Sequence, residues 1–231
     1  MTRGHTDHVY EGELRTLREQ VLLMGAKVEE MIRSSMRALA ERDSDLARRM
    51  IECDRQVNRL EVEIDDLCMR VLAKRQPVAS DLRFITTALK LVTDLERIGD
   101  LGVNICERVI ELNADPPLKP YGNMQLIADA TQSMLRESLD AFVAGDVGKA
   151  QELLERDKIV DAYYQEQFRE LITYMMEDPR NIQRAMRLCA IAKYLERIAD
   201  HTTNLAEMVV FMVKGKDIRH PGSRKAPALD N

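Results

Sequence analysis

Glycine and proline are scarce in this chain of 231 residues, numbering 10 and 7, and tryptophan is absent. With so few breakers, and a composition rich in Leu, Ala, Glu, Arg and Met, long helices are favoured. Cysteine is sparse as well. Cys53, Cys68, Cys106 and Cys189 lie far apart with no C-x-x-C pair, which argues against both a disulfide framework and a thiolate zinc site. With no secretory signal at the start, they are expected to be reduced core thiols of a cytoplasmic protein. No stretch approaches the roughly 18 uncharged apolar residues of a membrane-spanning helix, so the expectation is a soluble chain, at most peripheral to the inner face of a membrane through partners. Basic excess is lacking too: the formal charge is −5 and the pI about 5.5, which speaks against nucleic acid as a partner. There is no Ser/His/Asp grouping, no Gly-rich phosphate loop and no H-E-x-x-H, so no catalytic machinery is visible and an enzyme is not expected.

What is present is 45% apolar and 32% charged residues in long periodic stretches. The clearest interruption, from Asn113 through Pro116, Pro117 and Pro120 to Asn123, falls near the middle and reads as a linker. Arg42 to Asp45 offers a helix start, and Arg75 to Asp81 offers a stop followed by a Ser80 or Asp81 cap. Three helices are therefore predicted over 8–41, 44–75 and 81–113, and three more over 123–144, 147–176 and 180–214. The expected organisation is all-α, two tandem three-helix bundles over 1–115 and 123–214, joined by a linker at 116–122. The tail, 215–231, lacks apolar periodicity and is expected to be disordered.

The halves repeat each other residue by residue. Leu95-Glu96-Arg97-Ile98-Gly99-Asp100 returns as Leu195-Glu196-Arg197-Ile198-Ala199-Asp200, and Asn104 and Glu107 as Asn204 and Glu207, all at an offset of 100. Upstream the offset is 103, pairing Asp43, Ala47, Asp54 and Asn58 with Asp146, Ala150, Asp157 and Asp161.

At about 100° per residue, Glu96, Asp100, Val103 and Glu107 share one sector of the third helix, with Asn104 at its edge. They continue an apolar stripe of Ile85, Leu89 and Val92. The sixth helix keeps the plan, with Ala185, Cys189 and Ala192 leading into Glu196, Asp200, Thr203 and Glu207, and Lys193 and Arg197 read as lying to one side. In the fifth helix Asp157 and Asp161 interrupt a stripe of Ala150, Leu153, Tyr164 and Phe168, and in the second Asp54 and Asn58 are followed by Glu61 and Asp65. Carboxylates four apart repel, and burying one is costly unless it is paired, protonated or metal-bound. An all-oxygen set favours Mg, Ca or Mn, while carboxylate bridging also suits iron and zinc. The simpler alternative is that these acids are half-exposed and bridged to arginines of neighbouring helices. His201 points away from the stripe, answers to Leu101, and reads as a surface residue.

On these residues the chain resembles the PhoU family of bacterial phosphate-signalling proteins, over about Val9 to Lys214. The resemblance rests on two tandem three-helix units whose third helices each carry an E-x-x-x-D motif. It implies a cytoplasmic regulator that restrains phosphate uptake and the starvation response, acting as an adaptor between the phosphate ABC transporter ATPase and a phosphate-sensing histidine kinase. It also implies a homodimer and iron or zinc clusters on the acidic motifs. Glu96, Asp100, Glu196 and Asp200 would then be the motif acids and Asp54, Asp157 and Asp161 supporting ligands. Asn58, Asn104, Asn204, Glu107, Glu207 and Glu61 are further candidates. A second reading, a carboxylate-bridged di-iron helical bundle or iron store, would need Glu-x-x-His pairs, and none of Glu61, Glu96, Glu107 or Glu196 has one. A third is a helical adaptor without metal.

Overall fold

The computed structural model describes residues 3–118 and 122–218. Six helices follow one another: α1 (Arg3–Glu41), α2 (Ser44–Arg75), α3 (Ala79–Asn113), α4 (Gly122–Ala144), α5 (Val147–Glu177) and α6 (Ile182–Lys214), with a 3₁₀ turn at Pro179–Asn181 before α6. No strand occurs among the described residues. No helix among them is long and apolar enough to cross a membrane. The disorder expected of the tail from Arg219 onward concerns residues outside those described, as do positions 119–121 of the linker.

The starts of α2 and α5 are set by equivalent aspartates. Asp43 accepts from the Asp45 and Leu46 backbone N–H groups, and Asp146 accepts from that of Lys149. Each satisfies donors that the first helical turn leaves without a partner. The turns before them need a left-handed residue, Arg42 (φ 56°) in one half and Gly145 (φ 63°) in the other. Arg42 adopts that strained conformation and its guanidinium caps the end of α3, donating to Asn113 O at 3.0 Å and, just past the helix, to Asp115 O at 2.6 Å. The expected Ser80 or Asp81 cap on α3 does not form: the helix begins at Ala79 behind Val78, without a side-chain cap. Asp81 instead accepts from the Tyr10 hydroxyl at 2.9 Å. That bond anchors the early turns of α1, which also hold Arg75 through Glu13 (2.9 Å) and place Arg18 over the Phe84 ring (5.0 Å).

In cross-section α1, α3, α6 and α4 form a square, each packing on the next, while α2 covers α1 and α3 and α5 covers α4 and α6. The two repeats are thus joined along two pairs of helices, and their buried side chains form one continuous core. Where α1 crosses α4, a Cβ at Gly25 would stand 2.5 Å from Leu139 Cδ1, so only glycine permits that approach without displacing the leucine. Phe84 of α3 stacks on Phe142 of α4, ring centres 5.6 Å apart, tying one repeat to the other. The four cysteines are free thiols, three of them buried. Burial first, then a neighbouring acid, pushes the Cys68 and Cys106 thiols up to about 12, which leaves them unreactive at neutral pH.

Candidate metal centre

The stripes predicted on separate helices are brought together in pairs, once per repeat. Along the α2–α3 seam stand Asp54, Glu61 and Asp65 from α2 and Glu96 and Asp100 from α3; along the α5–α6 seam stand Asp157 and Asp161 from α5 and Glu196 and Asp200 from α6. The signature is electrostatic. Burial raises the Glu96 carboxyl above its ordinary value, and repulsion from Asp100, Glu61 and Asp54 adds to it. Asp54 and Glu61 are raised in the same way, with Asp100 among the causes of each. In the second seam Asp157 is pushed up to about 6, by burial and then by Asp161, Asp200 and Glu196, and Asp200 is raised by burial and by Glu196. Carboxylates that perturb one another in this way face one another across the seam, where partial burial weakens the screening by water.

The cations in direct contact sit on the same helices as the acids rather than on neighbouring ones. Arg97 lies 3.6 Å from both Glu96 and Asp100, and Lys193 lies 2.5 Å from Glu196. Lys193 does not lie off to one side as the wheel indicated, because an i, i+3 spacing brings its long side chain back over the acid. Lys193 also rests over the Tyr164 ring at 5.5 Å. Two acid oxygens, Asp54 Oδ1 and Glu196 Oε2, are buried; the second meets Lys193, while the first has no hydrogen-bond partner, and Gly99 leaves the space beside it, where a Cβ would stand 3.5 Å from that oxygen. The opposite oxygen accepts from Asn58 Nδ2 at 2.8 Å, so Asn58 orients Asp54.

The seams are not equivalent. Where α2 has Glu61 and Asp65, α5 has Tyr164 and Phe168, and where α3 has Thr93, α6 has Lys193. The first seam is therefore the longer acidic run, with Arg97 against its acids, and the second is shorter, with Lys193 in contact with Glu196. Among the described residues no three His, Cys, Asp or Glu side chains are gathered as a ready-made ligand cage. Arg97 contacts Glu96 and Asp100, and Lys193 contacts Glu196, so three of the acids have a cation beside them. The donor set itself, all carboxylate oxygen with a desolvated unpartnered atom, is of the kind that fits hard or borderline divalent cations.

Several candidates fall elsewhere. Asn204 donates to Asp94 Oδ1 at 3.3 Å, and His201 Nδ1 shares the same oxygen at 2.7 Å. Both residues thus bridge α6 to α3 between the repeats, and His201 is half-buried rather than a free surface residue. Leu101 at the equivalent position concealed this, since the contact has no copy in the other half. Glu107 is exposed and lies 3.6 Å from Arg108. Glu207 and Asn104 are half-buried farther along their stripes.

The PhoU domain family model matches residues 21–109 and again 124–209, one match on each repeat. A phosphate-specific transport system accessory protein PhoU homolog of Pseudomonas putida is 42% identical over 226 residues, spanning 97% of this chain and 88% of that protein. The phosphate-specific transport system accessory protein PhoU of Escherichia coli K12 is 39% identical over 225 residues, 97% and 93% of the two chains. Among solved structures, PhoU from Pseudomonas aeruginosa superposes with a TM-score of 0.86 at 42% identity, over 90% of this chain and 100% of that one. The phosphate transport system regulatory protein PhoU from Streptococcus pneumoniae gives 0.84 at 30% identity, over 90% and 99%. With both repeats matched and nearly the full length shared, the chain belongs to the PhoU family.

Proposed function

We propose that this chain is a non-catalytic accessory and regulatory protein of phosphate transport that represses phosphate uptake and the starvation response when phosphate is plentiful. The observation that carries the reading is the near full-length similarity, through both repeats, to phosphate-specific transport accessory proteins. In this reading it acts from the cytoplasm as an adaptor between the transporter ATPase and a sensor histidine kinase, and works as a homodimer. A strain lacking the gene should express starvation genes in high phosphate, and the intact gene should restore repression; normal repression in the deletion strain would sink the regulatory assignment.

The acidic seams belong to this reading as metal sites. Asp54, Glu96 and Asp100 in the first repeat, and Asp157, Asp161, Glu196 and Asp200 in the second, would hold the ions, with iron or zinc drawn from the family and Mg, Mn or Ca open by donor type. A bound cation would neutralise the crowded carboxylates and so pin α2 to α3 and α5 to α6. The quadruple variant Glu96→Gln, Asp100→Asn, Glu196→Gln, Asp200→Asn should lose the metal found by elemental analysis of tag-free protein. Equal metal content in variant and parent, or none in either, removes the metal sites.

A further inference from the structure

Where the end of α3 meets the start of α6, between the two repeats, a cavity of about 700 Å³ is lined by Arg108 of α3, Arg180 of the 3₁₀ turn and Arg187 of α6, with Glu111 among them and Ile182 and Met186 supplying apolar surface. The acids around these arginines are few. Glu111 lies 3.0 Å from Arg108 Nη2 and 3.1 Å from Arg187 Nε, so its two oxygens hold both guanidiniums. From outside the lining, Asp115 stands 2.8 Å from Arg187 Nη1, Asp178 2.8 Å from Arg180 Nη2, and Glu107 3.6 Å from Arg108 Nη2. A guanidinium carries five N–H donors, so these contacts fix each fork in place and leave part of it unused. Arg108 Nε is buried and meets no acceptor among the described residues, a costly state for the donor of a charged group. The fold itself does not ask for the cluster: Met208, Ser80 and Thr87 stand at the equivalent positions of the other half, where the same helices pack without it.

Arginine forks recognise the oxygens of carboxylates and phosphates, and three forks on one cavity suit the three terminal oxygens of a phosphate monoester better than the two of a carboxylate. The volume lies within the range of small-molecule sites, roughly 300–1,000 Å³, and leaves room for more than the phosphate. We propose that this cavity binds a phosphate monoester with a flat, largely apolar remainder, the class to which mononucleotides belong. Its phosphate oxygens take the donors of Arg108, Arg180 and Arg187, and the remainder lies against Ile182 and Met186. Glu111 is a positioning residue, because it touches the two arginines rather than the ligand. A ligand so held ties α3 of the first repeat to α6 of the second. The inference rests on the cavity lining and not on the transport reading, which stands whether or not the site is real.

The probe is AMP carrying an N-methylanthraniloyl fluorophore on its ribose, titrated into the full chain and read by anisotropy. Unlabelled AMP should displace it, adenosine, which lacks the phosphate, should not, and inorganic phosphate should need at least about tenfold more than AMP because it makes no apolar contact. Arg108→Gln and Arg187→Gln should each weaken the probe by about tenfold or more, as expected when a charge-assisted hydrogen bond is lost. Since Arg187 also holds Glu111 and Asp115, a further variant, Met186→Trp, fills the cavity with every arginine intact and should weaken the probe to a similar extent. Arg136→Gln, the same change of charge at the contact of α1 with α4, should leave binding unchanged, and circular dichroism should show all four variants folded. Absence of probe binding, displacement by adenosine as effective as by AMP, or equal loss in Arg136→Gln overturns the proposal. So does displacement by inorganic phosphate at the same concentration as AMP, because the site then reads the ion alone.

Discussion

Phe142→Ala should lower the free energy of unfolding by about 3–5 kcal/mol, the usual cost of emptying a buried aromatic site. Phe142 is 1% exposed, and its ring stacks on Phe84, itself buried and covered by Arg18. The site lies where α3 of one repeat faces the end of α4 of the other, so the cavity opens between the repeats rather than inside one of them. Because the core is continuous through α1, α3, α4 and α6, the loss should appear as one cooperative transition moved to lower urea. The check is urea unfolding followed by circular dichroism and by tyrosine fluorescence. Two separated transitions, only one of them shifted, would show that the repeats fold as independent units and that the shared core is not what holds them.

Asp157→Asn should make the metal-free protein more stable at neutral pH. The Asp157 carboxyl is pushed from an ordinary 3.8 to about 6, burial contributing most and the carboxylates of Asp161, Asp200 and Glu196 the rest. Between those values the folded chain keeps a proton that the unfolded chain has lost, so this residue's contribution to stability falls as pH rises through the window and the penalty is complete above about pH 6. The full shift is worth about 3 kcal/mol, which screening of a half-buried group reduces to about 1–2 kcal/mol. The advantage of the variant should therefore be near zero at pH 4, grow toward pH 6, and level off beyond. An advantage that does not change with pH, or a variant less stable than its parent in EDTA, would contradict the assigned environment. A residue that weakens the fold at working pH, at a position matched by Asp54 in the other repeat, is what a binding site retained at the expense of stability looks like.

Much of this architecture was legible before any coordinates. Six helices came within a few residues of their predicted ends, because the breakers at Asp43, Pro77, Pro116, Gly145 and Pro179 act locally. Asp43 and Asp146 cap where their neighbours' backbone N–H groups require it. The misses were of one kind. Ser80 and Asp81 looked like caps until Tyr10, 71 residues away, claimed Asp81. Lys193 and His201 looked peripheral until Glu196 and Asp94 drew them in.

The chain alone determined where its helices run, that its halves are copies, and which faces carry acids on otherwise apolar stripes, because a helix reads its period from residues three and four apart. Only the tertiary structure decided that the α2 stripe meets that of α3 and the α5 stripe that of α6, and that the two repeats share one core. Those outcomes depend on which of several similar apolar faces pack together, and a face that can bury itself against more than one neighbour does not name its partner in its own sequence.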